Sequence, residues 1–356
     1  MKVLTVIGNR PQFIKAAAVT PELRRAHEEV MVHTGQHFDE ELSAVFFNEL
    51  GLPAPDRELG VSLGSNASQT ARMLAALEPV INEIAPDVVV VYGDTNSTLA
   101  GALAGAQAGV PVAHVEAGLR SFDRSMPEEL NRVLVDHCSE ILLCPSEAAV
   151  LNLEREGVPG PIDQVGDVMV DVALKVQPHA RHRTDLLDHR GVRRGQYVLA
   201  TAHRPGNVDE PARLRELAEL LLSMPCPVVW SVHPRTRDRL HSNGLLERLT
   251  EAKQLILTPP LGYLELAALL CNARAVMTDS GGIQKEAYLA GVPCITLRTI
   301  TEWGETVERG WNTLVDLDRQ AAARALSREP PAERPPLYGD GRAAERVVSA
   351  LTLRLQ

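Results

Sequence analysis

Aromatic side chains are scarce in this chain, 4% of its 356 residues, so its cores must be built from Leu, Val, Ile and Ala. The five cysteines (Cys138, Cys144, Cys226, Cys271 and Cys294) are scattered and form no CxxC pair. That pattern excludes a disulfide scaffold and suits free thiols in a reducing compartment. No window approaches the roughly 20 apolar residues of a membrane span. The opening MKVLTVIGNRPQ has too short an apolar run for a signal peptide. There is no long basic run, and the net charge of −10 argues against a general nucleic-acid binder. A phosphate ligand stays possible, because a local site can be positive on an acidic protein. No Cys/His spacing suggests zinc, and no Asp/Glu constellation resembles a calcium loop. The expectation is a cytoplasmic protein that holds no metal and meets neither membrane nor nucleic acid.

What the chain does have is length and apolar content. Its 356 residues, 45% of them apolar, suggest two domains with sizeable cores. Short apolar runs alternate with helix-length stretches such as 68–84 and 211–223. Strands are expected at 3–7, 29–33, 88–92, 112–115, 141–144 and 163–165. After residue 196 the rhythm restarts at 197–201, 227–231, 255–258, 275–278 and 294–297. Such alternation predicts parallel sheets with helices on both faces. A run like DVVVVY is apolar on both faces, as parallel strands must be. The break falls in the polar segment 175–196, and a Pro-rich passage, REPPAERPPLYGDG, precedes a last helix from about Arg342. The expected architecture is α/β: two doubly wound domains across a cleft, with ligands at the carboxyl ends of the strands.

The loops after those strands carry the chemistry. GNRPQFIK places Arg10 and Lys15 around a helix start, a good setting for phosphate, and it lacks the GxGxxG dinucleotide fingerprint. Asp94, in GDTNST, reads either as a helix N-cap or as a functional carboxylate. Glu116 ends an apolar strand, where a pairing with Arg120 is the plain alternative. His203 and Arg204 follow a strand in ATAHRPGN, and His233 follows VVWSV. In MTDSGGIQKEA a strand ends at Asp279, and Ser280, Gly281 and Gly282 open a helix. Glycines there admit a ligand to the backbone N–H groups, and the helix dipole favours an anion. Glu286, one turn further, is placed to take two ribose hydroxyls. Together these loops suit a phosphorylated ligand with carboxylates at its other end, as a nucleoside-diphosphate sugar requires.

The segments GNRPQFIK, VYGDTNSTLA, HVEAGLRS, MPEELNR, ATAHR and TDSGGIQKEA resemble, in order, the non-hydrolysing UDP-N-acetylglucosamine 2-epimerases. The resemblance runs from Gly8 to beyond Trp311. It implies a GT-B fold of two Rossmann-like domains, about residues 1–168 and 169–341, with a terminal helix, 342–356, crossing back to the first. It implies a homodimeric isomerase that needs neither NAD nor metal. The family reaction interconverts UDP-GlcNAc and UDP-ManNAc by anti elimination of UDP to 2-acetamidoglucal and re-addition. Carried onto this sequence, Asp94, Glu116, Glu128 and His203 are the catalytic set. Arg10, Lys15, His233, Ser280, Gly281, Gly282 and Glu286 hold the UDP moiety. Gln36, His37 and Arg72 match positions implicated in activation by a second UDP-GlcNAc. Asp39, however, stands where the regulated members tend to have an amide.

Two departures bear on the substrate. TEWGE carries Trp303 where the best-known members have an Arg, and Pro205–Gly206 follows AHR where they have Arg and Glu. The combination looks more like a subgroup that includes enzymes acting on UDP-2,3-diacetamido-2,3-dideoxy-glucuronic acid. UDP-GlcNAc remains the first choice and that uronate the alternative. Rivals from other classes are a GT-B glycosyltransferase and a UDP-sugar-binding protein without turnover. Three carboxylates in the first-domain loops favour proton traffic over both.

Overall fold

The computed structural model describes residues 1–36 and 49–355, and every structural statement below concerns these. They form two compact units, one of residues 1–174 with 336–356 and one of residues 175–335.

The first unit holds a seven-stranded sheet of β1 (Lys2–Ile7), β2 (Glu28–His33), β3 (Arg57–Glu58), β4 (Val88–Tyr92), β5 (Val112–Val115), β6 (Ile141–Cys144) and β7 (Ile162–Gln164). The strand order is β3-β2-β1-β4-β5-β6-β7, and every pair is parallel. The second unit holds β8 (Val198–Thr201), β9 (Val228–Ser231), β10 (Leu255–Thr258), β11 (Ala275–Thr278), β12 (Cys294–Thr296) and β13 (Asn312–Leu314). Their order is β10-β9-β8-β11-β12-β13, again all parallel. Both are doubly wound orders, each reversing at one switch point: between β1 and β4, and between β8 and β11. Ligand crevices in such sheets open at those points.

The sequence dictates this layering directly. All five residues of β4 are buried, as a parallel strand covered on both faces requires. In the second unit Val198 and Ala200 enter one apolar cluster while Tyr197 and Leu199 enter another. The period-two alternation of a strand thus feeds two helix layers from one run. Helix starts follow capping chemistry: Asn9, Ser65 and Ser146 each accept a backbone N–H with their side chain, opening Arg10–Ala26, Asn66–Ile84 and Glu147–Glu156. Two strands lie outside the expected set, β3 and β13. The first is two exposed polar residues and the second is three residues long, so neither writes an apolar run.

The chain's last segment returns to the first unit. The helix Ala343–Arg354 receives the Asp171 carboxylate at its start, through the N–H of Ala343 at 3.1 Å and of Ala344 at 2.8 Å. Burial pushes the Asp171 carboxyl up, and the two N–H donors oppose that shift. His27 meets Thr352 at 2.9 Å, and Arg354 pairs with Asp163 at 2.9 Å. Among the described residues no helix is long and apolar enough to cross a membrane.

His33 closes β2 in a buried setting, its ring 5.2 Å from that of Phe13. Burial lowers its imidazole from an ordinary 6.5 to about 4. Between those values the unfolded chain holds a proton that the folded chain refuses. Stability therefore falls as pH drops through this window, by at most roughly 3 kcal/mol. Urea midpoints taken from pH 7 to pH 4 should decline less for His33→Gln than for the unsubstituted chain. Parallel declines would contradict this.

Candidate functional site

In the first unit the loops after β1, β4 and β5 converge. Asn9 caps the helix Arg10–Ala26, which Arg10 opens, and Gln12 turns back beneath it. The fully buried Gln12 accepts from the N–H of Gly8 at 2.7 Å, and it donates to the Tyr92 carbonyl and to Thr98 Oγ1, both at 3.0 Å. One amide side chain thereby stitches the β1 loop to the β4 loop. Lys15, a turn later, reaches the Glu116 carboxylate, and both side chains are under 10% exposed. Gly93 lies against this pair with a φ of +67°; a Cβ there would stand 2.9 Å from Lys15 Nζ and 3.3 Å from Glu116 Oε2. A side chain there would be strained by the dihedral and would crowd the Lys15 ammonium.

Two of the plain alternatives fail here. Asp94 does not cap the following helix. Thr95 holds the N-cap position of Asn96–Gln107, in a reciprocal box with Thr98. Asp94 instead turns its carboxylate to Arg132, which also binds Glu129 at 2.9 Å. Glu116 does not pair with Arg120. That guanidinium is committed to Asp136 at 2.7 Å and, through two bonds, to Glu156. Glu116 itself has a φ of +75°, a left-handed backbone that a non-glycine residue adopts only under constraint.

Glu128 and Glu129 occupy the first turn of the helix Pro127–Cys138, and they differ sharply. The buried Glu129 accepts from the N–H of Ser121 and Phe122 at 2.9 Å each, so it builds the loop. Glu128 is half-buried and has no hydrogen-bond or ion partner among the described residues. Beneath the site His114 sets one ring nitrogen 2.7 Å from Asp136 and the other 2.7 Å from the Gly93 carbonyl. Burial alone would raise the Asp136 carboxyl, but His114 and Arg120 beside it hold it below its ordinary value. Asn131 donates to the Asp94 carbonyl at 3.0 Å. His114, Asn131 and Arg132 lie inside the segments HVEAGLRS and MPEELNR but carry no role in the sequence reading, and Asp136 lies outside both; the structure shows all four as supports.

The positions expected for a second ligand divide. Gln36 Oε1 accepts from Ser97 N at 3.0 Å and Ser97 Oγ at 2.6 Å, at the start of the helix Asn96–Gln107. Arg72 spends its guanidinium on the carbonyls of Ser62 and Leu63. His37 and Asp39 lie outside the described residues.

In the second unit the loops after β8, β9 and β11 meet. His203 and Arg204 donate their backbone N–H groups to the Asp279 carboxylate at 3.0–3.2 Å. Thr236 Oγ1 reaches the Ala202 carbonyl at 3.1 Å, tying in the β9 loop. His233 caps the helix Pro234–Ser242, accepting from the N–H of Arg235, and its ring lies 6.2 Å from that of His203. Burial, with His203 and Arg235 nearby, lowers the His233 imidazole, so it is neutral at pH 7. Ser280 stands at the N-cap of Gly281–Ala290 without a capping bond from its hydroxyl. A Cβ at Gly281 would meet the Glu302 carboxylate, so a side chain there would require Glu302 to move. Gly282 follows it in the first turn, and Glu286 is buried on the next. Trp303 is buried beside this turn, under Lys285 Nζ at 4.5 Å from the ring centroid. Among the described residues no group of three His, Cys, Asp or Glu side chains is placed to hold a metal ion.

Gly93→Ala should cost roughly 1–3 kcal/mol through the positive φ alone. The displaced Lys15–Glu116 pair adds to that cost. Chemical denaturation reads the change, and an unchanged midpoint would mean the turn is not constrained as described.

The arrangement can be set beside known proteins. A family model described as UDP-N-acetylglucosamine 2-epimerase matches residues 21–352. A UDP-N-acetylglucosamine 2-epimerase homolog of Methanococcus maripaludis is 45% identical over 99% of both chains. A UDP-2,3-diacetamido-2,3-dideoxy-D-glucuronate 2-epimerase of Pseudomonas aeruginosa is also 45% identical over 99% of both. The crystal structure of Methanocaldococcus jannaschii UDP-GlcNAc 2-epimerase, in complex with UDP-GlcNAc and UDP, superposes with a TM-score of 0.93 at 40% identity, covering 99% of this chain and all of that one. The Neisseria meningitidis enzyme bound to UDP-GlcNAc gives 0.90 at 28% identity, over 99% of this chain and all of that one. The two doubly wound parallel sheets are thus those of a GT-B fold, and the chain belongs to the UDP-N-acetylglucosamine 2-epimerase family.

Proposed function

We propose that the protein interconverts UDP-GlcNAc and UDP-ManNAc without added cofactor. The observation that supports this reading is that Asp94 and Glu116 sit on strand-end loops of the first sheet, each held by a cation, while Glu128 lies in the first turn of the helix that carries Arg132. Under it, the C2 proton passes to a carboxylate and the C1–O bond to UDP breaks, leaving 2-acetamidoglucal. UDP then adds back, with a proton delivered to the other face of C2. That C2 hydrogen is barely acidic, so C–O cleavage must lead or accompany its loss, and positive charge must meet the leaving diphosphate. Removal and return on opposite faces need two positioned acid/base groups, worth roughly 10²–10⁴-fold.

The three carboxylates are not equivalent for that work. Asp94 and Glu116 are each held by a cation, Arg132 and Lys15. Glu128 has no ion-pair partner among the described residues. His203 would assist departure of UDP. Arg10, Lys15, His233, Ser280, Gly281 and Gly282 would hold the diphosphate, and Glu286 the ribose. Binding of a second UDP-GlcNAc near Gln36, His37 and Arg72 would make initial rates sigmoidal in substrate. A homodimer, a cytoplasmic location and a supply of ManNAc-type sugar for surface polysaccharide belong to the same proposal.

A second reading has its own support. The Pseudomonas aeruginosa relative named for the diacetamido uronate is as similar as any reported above. Trp303 also departs from the Arg of the best-known UDP-GlcNAc epimerases. Initial rates on the two UDP-sugars, each supplied alone, decide between them. Conversion of UDP-GlcNAc to UDP-ManNAc with the higher kcat/KM is the expected result. Turnover of the uronate alone would move the substrate to the second reading, and release of UDP in proportion to an acceptor would mean a glycosyltransferase.

A further inference from the structure

Asp279 is wholly buried at the carboxyl end of β11, yet every donor around it belongs to the loop that carries His203 or orders it. Its two oxygens accept from the N–H of His203 at 3.2 and 3.1 Å and of Arg204 at 3.0 Å. Asn207 Nδ2 adds a third donor at 3.1 Å, and Asn207 is fixed in turn by the Leu297 carbonyl at 3.0 Å. The remaining approach is by the His203 ring, whose Nδ1 stands 3.4 Å from Asp279 Oδ1. The ring is 48% exposed while the carboxylate is fully enclosed. A buried carboxylate so placed does two things. It pins the backbone of the loop, and it selects which ring nitrogen carries the proton.

We infer that Asp279 is the positioning residue of His203. It keeps a proton on Nδ1, so that Nε2 is the nitrogen turned to a ligand. With both nitrogens protonated, the ring passes its Nε2 proton to the departing diphosphate oxygen as the C1–O electron pair goes to that oxygen. It returns to neutral with the remaining N–H still on Nδ1. In re-addition the same proton comes back to Nε2. A ring with its proton on the other nitrogen would present Nε2–H when neutral and hold no proton to spare. The 3.4 Å separation is the long contact expected before a ligand draws the pair together. The catalytic consequence rests on the role proposed above for His203; the ring orientation does not.

The test has two parts. Long-range proton–nitrogen NMR of the ligand-free protein at pH 8 reads the tautomer of His203, its signal assigned by loss in His203→Gln. A proton on Nδ1 in the unsubstituted chain is expected, with a shift toward Nε2–H in Asp279→Asn. Nε2–H in the unsubstituted chain would overturn the inference, whether or not the variant folds. Kinetics supply the second part. Asp279→Asn should lower kcat by roughly 10²–10⁴-fold with KM changed only a few-fold. Added to His203→Gln, it should cost little more, because both act through one ring. Losses that multiply in the double variant would show that Asp279 acts independently of His203, against the inference. If the ring state is as inferred but His203→Gln turns over normally, the orientation stands and the proposed role of His203 falls.

Discussion

A buried cation must meet a carboxylate, and the first unit is arranged around that requirement. Arg132 is almost wholly enclosed, and its guanidinium joins Asp94 on the β4 loop to Glu129, which shapes the loop at Ser121 and Phe122. Lys15 joins the first helix to Glu116 on the β5 loop. Arg120 joins Asp136 and Glu156. Removing one partner from such a pair leaves an uncompensated buried charge, at a cost on the order of 3–5 kcal/mol. The loops that hold Asp94 and Glu116 are therefore tied down by charge pairing. Gly93 and the strained Glu116 are local concessions to the same requirement.

The second unit answers the same problem with neutral donors. Asp279 is as deeply buried as any carboxylate in the chain, yet its close donors are two backbone N–H groups and an amide. Among the described residues no Lys or Arg pairs with it, and the His203 ring stands beside it. The contrast suits the two chemistries proposed. Carboxylates that exchange protons with carbon need fixed geometry, whereas a histidine that serves a leaving diphosphate needs a partner that orients its ring. His233, kept neutral by burial, can donate without adding a second charge.

Much of this was legible in the sequence because parallel strands write continuous apolar runs. Most strands of both sheets announced themselves that way, and the repeat of the pattern announced two units. The two missed strands were silent for a physical reason. Arg57–Glu58 is an exposed edge with no apolar face, and Asn312–Leu314 is too short to show a period. Strand-end loops pointed to Asp94, Glu116, His203 and Ser280, since a doubly wound sheet sends function there. Partners were another matter. Lys15 and Glu116 are 101 residues apart, and Arg132 and Asp94 are 38 apart. No local signal tells one carboxylate which cation it will meet. Thr95, not Asp94, took the cap because a Thr with Thr three residues on closes a reciprocal box. In the sequence Asp279 reads only as a strand end, because its meaning depends on a loop 76 residues earlier.

The most direct measurement is proton NMR of the protein with UDP-GlcNAc in D₂O, with no cofactor added. Elimination and re-addition require solvent deuterium at C2 of both epimers as UDP-ManNAc accumulates, and that is the expected result. Epimerisation that retains the original hydrogen at C2 would contradict proton exchange by the carboxylates of the first unit, and with it the role assigned to Asp94, Glu116 and Glu128.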